Sequence, residues 1–153
     1  MVEDRGNDRQ DDIIHRYAQR VGYSAPEIER FHDGSHRIRQ VRRLSEAASR
    51  YAVVAEVVKA RHCNSGHRVG QTFTLDVDGN FITKLCPKRM CVYLVSQLSI
   101  PVALINERLS ENLAPNDFHF MRYVRCLDVG VDCYGYGEVM LKVQVRPRDK
   151  GKQ

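Results

Sequence analysis

The chain has 153 residues, 42% hydrophobic and 28% charged, enough for one globular domain with a buried core and some additional N-terminal structure. Its formal charge of +5 suits an anionic ligand or partner but does not by itself mark a nucleic-acid binder. No apolar run approaches the ~20 residues of a membrane helix, and the opening MVEDRGNDRQDD carries no apolar secretory segment, so a cytoplasmic protein with no membrane partner is expected.

Residues 1–10 are charged and aperiodic and predict a disordered tail. From Asp11, the spacing of Ile13, Ile14, Tyr17 and Val21 predicts a helix that stops at Gly22. Ser24 with Glu27 three residues on forms a capping box for a second helix ending near Asp33-Gly34. A third helix, capped by Ser35 and running to about Ser49, carries Ile38, Val41, Leu44 and Ala48 as an apolar stripe. Arg37, Arg39, Arg42 and Arg43 lie around that stripe. They raise a nucleic-acid reading for helix 35–50, which the interspersed glutamates weigh against. Packing of this 11–50 helical arm on another subunit is an equal expectation.

At Tyr51 the period changes. Tyr51–Lys59 is rich in β-branched residues and predicts a strand. His62 to Gly70 reads as a loop. Gln71–Val77, Asp78-Gly79 and Phe81–Leu85 read as a hairpin ending at Cys86-Pro87. Lys88–Ser99 reads as a helix that buries Cys91, and a further helix follows Pro101. Phe118–Leu127 and Glu138–Arg146 read as strands, the latter with Val139, Leu141, Val143 and Val145 on one face. Residues 148–153 form a basic tail, expected to be mobile. The predicted fold is α+β: an antiparallel sheet of about five strands with packed helices over 51–147, preceded by the helical arm.

Five cysteines is an odd number, and in a reducing compartment no disulfide framework is expected. Zinc or iron favours thiolates and imidazoles, three or four to a site. Cys63 and His67 share one loop, Cys86 ends the hairpin, and Cys126 or Cys133 could complete a set; the expected ligands are Cys63, His67, Cys86 and Cys126. The alternative is thiol chemistry, with Cys86 as nucleophile at a helix start, His67 as base and Asp128 orienting it. The plain alternative for each is a buried small cysteine, a hydrogen-bonded loop histidine and a turn aspartate. Gly66, Gly70, Gly130, Gly135 and Gly137 serve turn geometry or let backbone approach a ligand.

The series Cys63, Gly66-His67-x-Val69-Gly70, Phe73, Leu85-Cys86-Pro87 and Cys126-x-Asp128 resembles a group of small, largely uncharacterised bacterial and archaeal proteins. Their core reads C-x-x-G-H-x-V-G-x-x-F, then L-C-P, then C-P-D. The resemblance covers about residues 52–146. Leu127 departs from it, standing where the pattern has Pro, and the arm lies outside it. It implies that Cys63, His67, Cys86 and Cys126 belong together, in a small cytoplasmic partner or ligand binder of metabolism. The expected function is an accessory or subunit of a multi-subunit metabolic enzyme, with a protein partner or a homo-oligomer. The alternatives are a stand-alone metal- or thiol-dependent enzyme on a small organic substrate and a nucleic-acid binder through the basic helix. The reaction itself is not legible.

Overall fold

The structure, a computed structural model, describes residues 4–148, with side chains from Asp12 onward. Three helices come first: α1 Asp4–Val21, α2 Ala25–His32 and α3 Ser35–Ala48. Helix α1 begins seven positions earlier than the apolar period indicates, so the expected disordered tail is helical from Asp4; residues 1–3 lie outside the described chain. Gly22 ends α1 as expected. At φ +80° it adopts the left-handed conformation, and its N–H and that of Tyr23 both return to the Ala18 carbonyl. Ser24 and Glu27 hold the start of α2, the Ser24 N–H and hydroxyl both donating to one Glu27 oxygen at 2.8 and 2.7 Å. Tyr17, Tyr23 and Phe31 pack ring to ring between α1 and α2, with centroids 5.7–6.1 Å apart.

The sheet has four antiparallel strands, not five. They are β1 Tyr51–Arg61, β2 Thr72–Leu75, β3 Tyr123–Arg125 and β4 Glu138–Pro147, in the order β2-β1-β4-β3. Register sets Val53 opposite Val145, Ala55 opposite Val143 and Val57 opposite Leu141, all buried, so the apolar alternation of β4 meets that of β1 on one face. The other face carries polar pairs such as Glu56 opposite Lys142, with Arg146 on Glu56 at 2.7 Å.

The expected return strand after Asp78-Gly79 is absent. Asp76 Oδ1 accepts the N–H groups of Asp78 and Asn80 and makes the turn, but pairing stops after a single Leu75–Phe81 bridge, and Thr83–Leu85 coils into a 3-10 turn. The expected strand Phe118–Leu127 shrinks to β3. Phe118 is buried, and Arg122 folds back to hydrogen-bond its carbonyl. Helix α4, Val92–Val95, is far shorter than predicted, because residues 87–91 are non-helical. Helix α5, Ser99–Ser110, takes Pro101 into its first turn, where no backbone donor is needed.

Leu44 and Ala47 of α3 share one apolar cluster with Val53, Phe73, Leu94, Ile105 and Leu141, so the arm is joined to the sheet domain through a common core. Among its arginines, Arg39 and Arg43 reach Glu111 and Arg43 also reaches the Ser110 carbonyl, while Gln40 donates to Asn106. Arg148 ties the end of β4 to the Arg50 and Ala48 carbonyls; residues 149–153 of the expected tail lie outside the described chain. No helix among the described residues is long and apolar enough to cross a membrane.

Candidate functional site

The loop after β1 is folded back on its own strand. Gly70 N–H donates to the Val57 carbonyl at 2.9 Å and Val57 N–H to the Gln71 carbonyl at 2.8 Å; Gly66 N–H closes a turn on Cys63 at 3.0 Å. Gly66 and Gly70 both have positive φ, so this loop needs residues without Cβ strain there. The closure drives His67 inward. Its imidazole is 5% exposed and lies edge-on to the fully buried Phe73 ring, with centroids 5.3 Å apart. Nε2 of that ring is buried and has no hydrogen-bond partner in the protein.

His67 lines a cleft of about 620 Å³ at the end of β1. Cys63 and Ser65 of the loop, Cys91 and Tyr93 at the start of α4, Cys126 after β3, and Tyr136 and Val139 before and within β4 complete the wall. Cys63, Cys91 and Cys126 are free thiols, each half-buried. Three segments remote in sequence therefore bring thiols to one cavity. Cys126 is placed by its N–H, which extends the ladder to the Val139 carbonyl at 2.9 Å, and its thiol donates toward the Asp128 carbonyl at 3.6 Å. Cys91 precedes α4, and its carbonyl accepts from Leu94 and Val95.

Two predicted site residues have other roles. Cys86 does not line the cleft. Thr74 N–H donates to its sulfur at 3.3 Å and its thiol donates to the Thr74 carbonyl at 3.4 Å, so it occupies the free edge of β2 in place of the missing strand. No helix starts behind it; α4 begins at Val92. Asp128 does face the cleft, but its carboxylate organises the loop 126–137. Oδ1 accepts from Tyr136 N–H at 2.9 Å and Gly130 N–H at 3.1 Å, Oδ2 from Gly137 N–H at 3.0 Å. These donors, Tyr136 foremost, hold its pKa below the ordinary aspartate value. A Cβ on Gly135 would collide with that carboxylate, and one on Gly137 with the His62 carbonyl, so close approach explains both glycines. Cys133 is exposed outside the cleft.

Cys63, His67 and Cys126 thus meet at one cavity and Cys86 stands apart. Among the described residues, no three His, Cys, Asp or Glu side chains lie close enough together to hold a metal ion. The four expected ligands do not form a zinc or iron sphere. Cys91, read from the sequence as a core residue within a helix, does pack against the core, but it sits just ahead of α4 and also lines the cavity. The signal for it was the Pro87-Lys88-Arg89 run, which interrupts the apolar period ahead of it.

Glu138 at the rim is paired. Lys59 lies 2.9 Å away and Arg125 3.8 Å away, and the Lys59 hydrogen bond leads in holding the carboxyl below its ordinary pKa. Tyr93 and Tyr136 of the wall, and Leu127, Val129, Val131 and Tyr134 of the loop that follows β3, are all more than half exposed, and the Leu127 N–H joins this loop to the Tyr93 carbonyl. Comparison with family models, with curated proteins and with solved structures returns no match to this chain, so the resemblance described above rests on its motif residues alone.

Proposed function

We propose that this protein binds a small molecule in the His67 cleft and serves as an accessory subunit of a larger metabolic enzyme. One observation carries the reading: a cavity of ligand size is lined by His67, whose Nε2 is buried and without a partner. A buried polar nitrogen left unpaired costs about 1–3 kcal/mol. A bound group that reached it, displacing the atoms that cover it, would remove that cost. The accessory role draws support from the apolar rim. Exposed aromatic and aliphatic side chains grouped beside a pocket mark interaction surfaces more often than bare solvent-facing ones.

Stand-alone thiol catalysis at Cys86 has less behind it, since that thiol is held by backbone and lies off the cleft. Nucleic-acid binding through α3 has less still, with Arg39 and Arg43 engaged at α5.

Native mass spectrometry and elemental analysis of freshly purified protein, wild type beside His67→Phe, test the reading. The expected result is a small organic molecule retained, or recovered from a metabolite extract, by wild type and lost in the variant. Stoichiometric zinc or iron instead would return the site to metal binding. A wild-type protein that retains nothing from such an extract, or that turns over a substrate alone as a monomer, would remove the proposal.

A further inference from the structure

The two edges of the sheet end differently. Along β2, the Ile82 N–H and the Cys86 thiol both donate to the Thr74 carbonyl, and the Thr74 N–H donates to the Cys86 sulfur, so the chain fills that edge itself. The β3 edge is open. The Val143 N–H donates to the Arg122 carbonyl and the Cys126 N–H to the Val139 carbonyl, so Arg122, Val124 and Cys126 turn their backbone groups toward β4. Tyr123 and Arg125 between them therefore point their N–H and C=O groups away from the sheet, where they meet no hydrogen-bond partner among the described residues. The next outward N–H, that of Leu127, already donates to the Tyr93 carbonyl. At the other end Met121, at φ +62°, leaves the extended conformation. Within Tyr123–Arg125 the two outer side chains are exposed and Val124 is buried. The stretch has no proline, lysine or bulge, the usual guards of such an edge.

From this geometry we infer that β3 is a homodimer interface, pairing antiparallel with β3 of a second copy across a two-fold axis at Val124. The register follows from counting bonds. Outward groups pair with outward groups. Centred on Val124, Tyr123 of each copy faces Arg125 of the other, and all the free N–H and C=O groups are used. A register centred on Arg125 sets arginine against arginine and calls next on Leu127, whose N–H is taken. One centred on Tyr123 calls on Met121, which is off the strand. The Val124 register also lays the Arg125 guanidinium beside the Tyr123 ring of the second copy, a cation–aromatic pair made twice. It brings the Phe120 end of one edge to the Leu127 and Tyr93 end of the other, all exposed apolar residues in the single chain. These matches are self-complementary, as a two-fold interface requires, whereas an unrelated strand would satisfy the backbone alone. The inference does not depend on the His67 cleft.

Sedimentation of the full chain over a concentration series, with amide hydrogen exchange read residue by residue at both ends of the series, tests it. Wild type is expected to pass from monomer to dimer, the Tyr123 and Arg125 amides exchanging fast when dilute and slowly when concentrated. Tyr123→Lys sets lysine against Arg125 of the second copy and is expected to weaken the dimer roughly ten-fold. Tyr123→Glu sets a carboxylate there and is expected to preserve it. Arg125→Pro removes an N–H that β4 does not use and is expected to abolish dimerisation. Tyr134→Ser, in the exposed loop beyond the edge, is expected to dimerise as wild type does. A wild-type chain that stays monomeric throughout, or that dimerises without slowing these two amides, overturns the proposal. A Tyr123→Lys dimer as tight as that of wild type overturns it too. The wild-type readings decide the matter even if Arg125→Pro fails to fold.

Discussion

Thr74 and Cys86 exchange two hydrogen bonds along the free edge of β2, and this makes the cysteine a structural residue. A serine hydroxyl can make both bonds; an alanine makes neither and leaves the buried Thr74 N–H bare. Cys86→Ser should therefore unfold in denaturant within about 1 kcal/mol of wild type, and Cys86→Ala about 1–3 kcal/mol earlier. A serine variant as damaged as the alanine one would contradict this role. Asp128 invites a test by pH. Its pKa is lowered in the folded protein, so its contribution is fully present above the unfolded value, about 3.9, and fades as pH falls through the folded value. Asp128→Asn should melt earlier than wild type at neutral pH, with the gap closing in acid below about pH 4. A gap that does not change with pH would mean the carboxylate charge is not what orders the 126–137 loop.

At the scale of elements, the question is what fastens the helical arm. The exposed Arg39–Glu111 pair at 2.7 Å is the visible link, but such pairs contribute about 0–1 kcal/mol. Leu44 is buried in the shared core, and truncating such a side chain costs about 2–5 kcal/mol. Leu44→Ala should thus destabilise the protein several-fold more than Arg39→Ala in urea unfolding. The reverse order would show that ion pairing, not the apolar stripe, attaches α3 to α5. The same logic explains why the stripe Ile38, Val41, Leu44 and Ala48 was informative in the sequence while the arginines around it were not. Apolar spacing reports burial directly, whereas a basic face reads alike whether it meets a phosphate, solvent or Glu111.

For the molecule as a whole, one core extends from α3 through the sheet to α5. Calorimetry of the full chain should then show a single transition, with calorimetric and van't Hoff enthalpies in agreement. A separate, lower-melting transition would indicate that the arm folds on its own.

The sequence by itself determined the helical arm, the stop at Gly22, the capping box at Ser24, both long strands and the inward face of β4. Each depends on local periodicity or on one residue's backbone preference, and these act over a few positions. It also singled out His67, Cys63 and Cys126. The tertiary structure decided the membership of the cleft. Cys86 stays off it because residues 81–85 turn instead of pairing as a fifth strand, leaving its thiol on the edge of β2 twelve residues away, and Cys91 lines it ahead of a helix that starts only at Val92. Asp128 likewise reads as a turn residue or an acid–base partner until the loop amides converge on it. Such convergence is a property of three-dimensional proximity, to which spacing along the chain is blind.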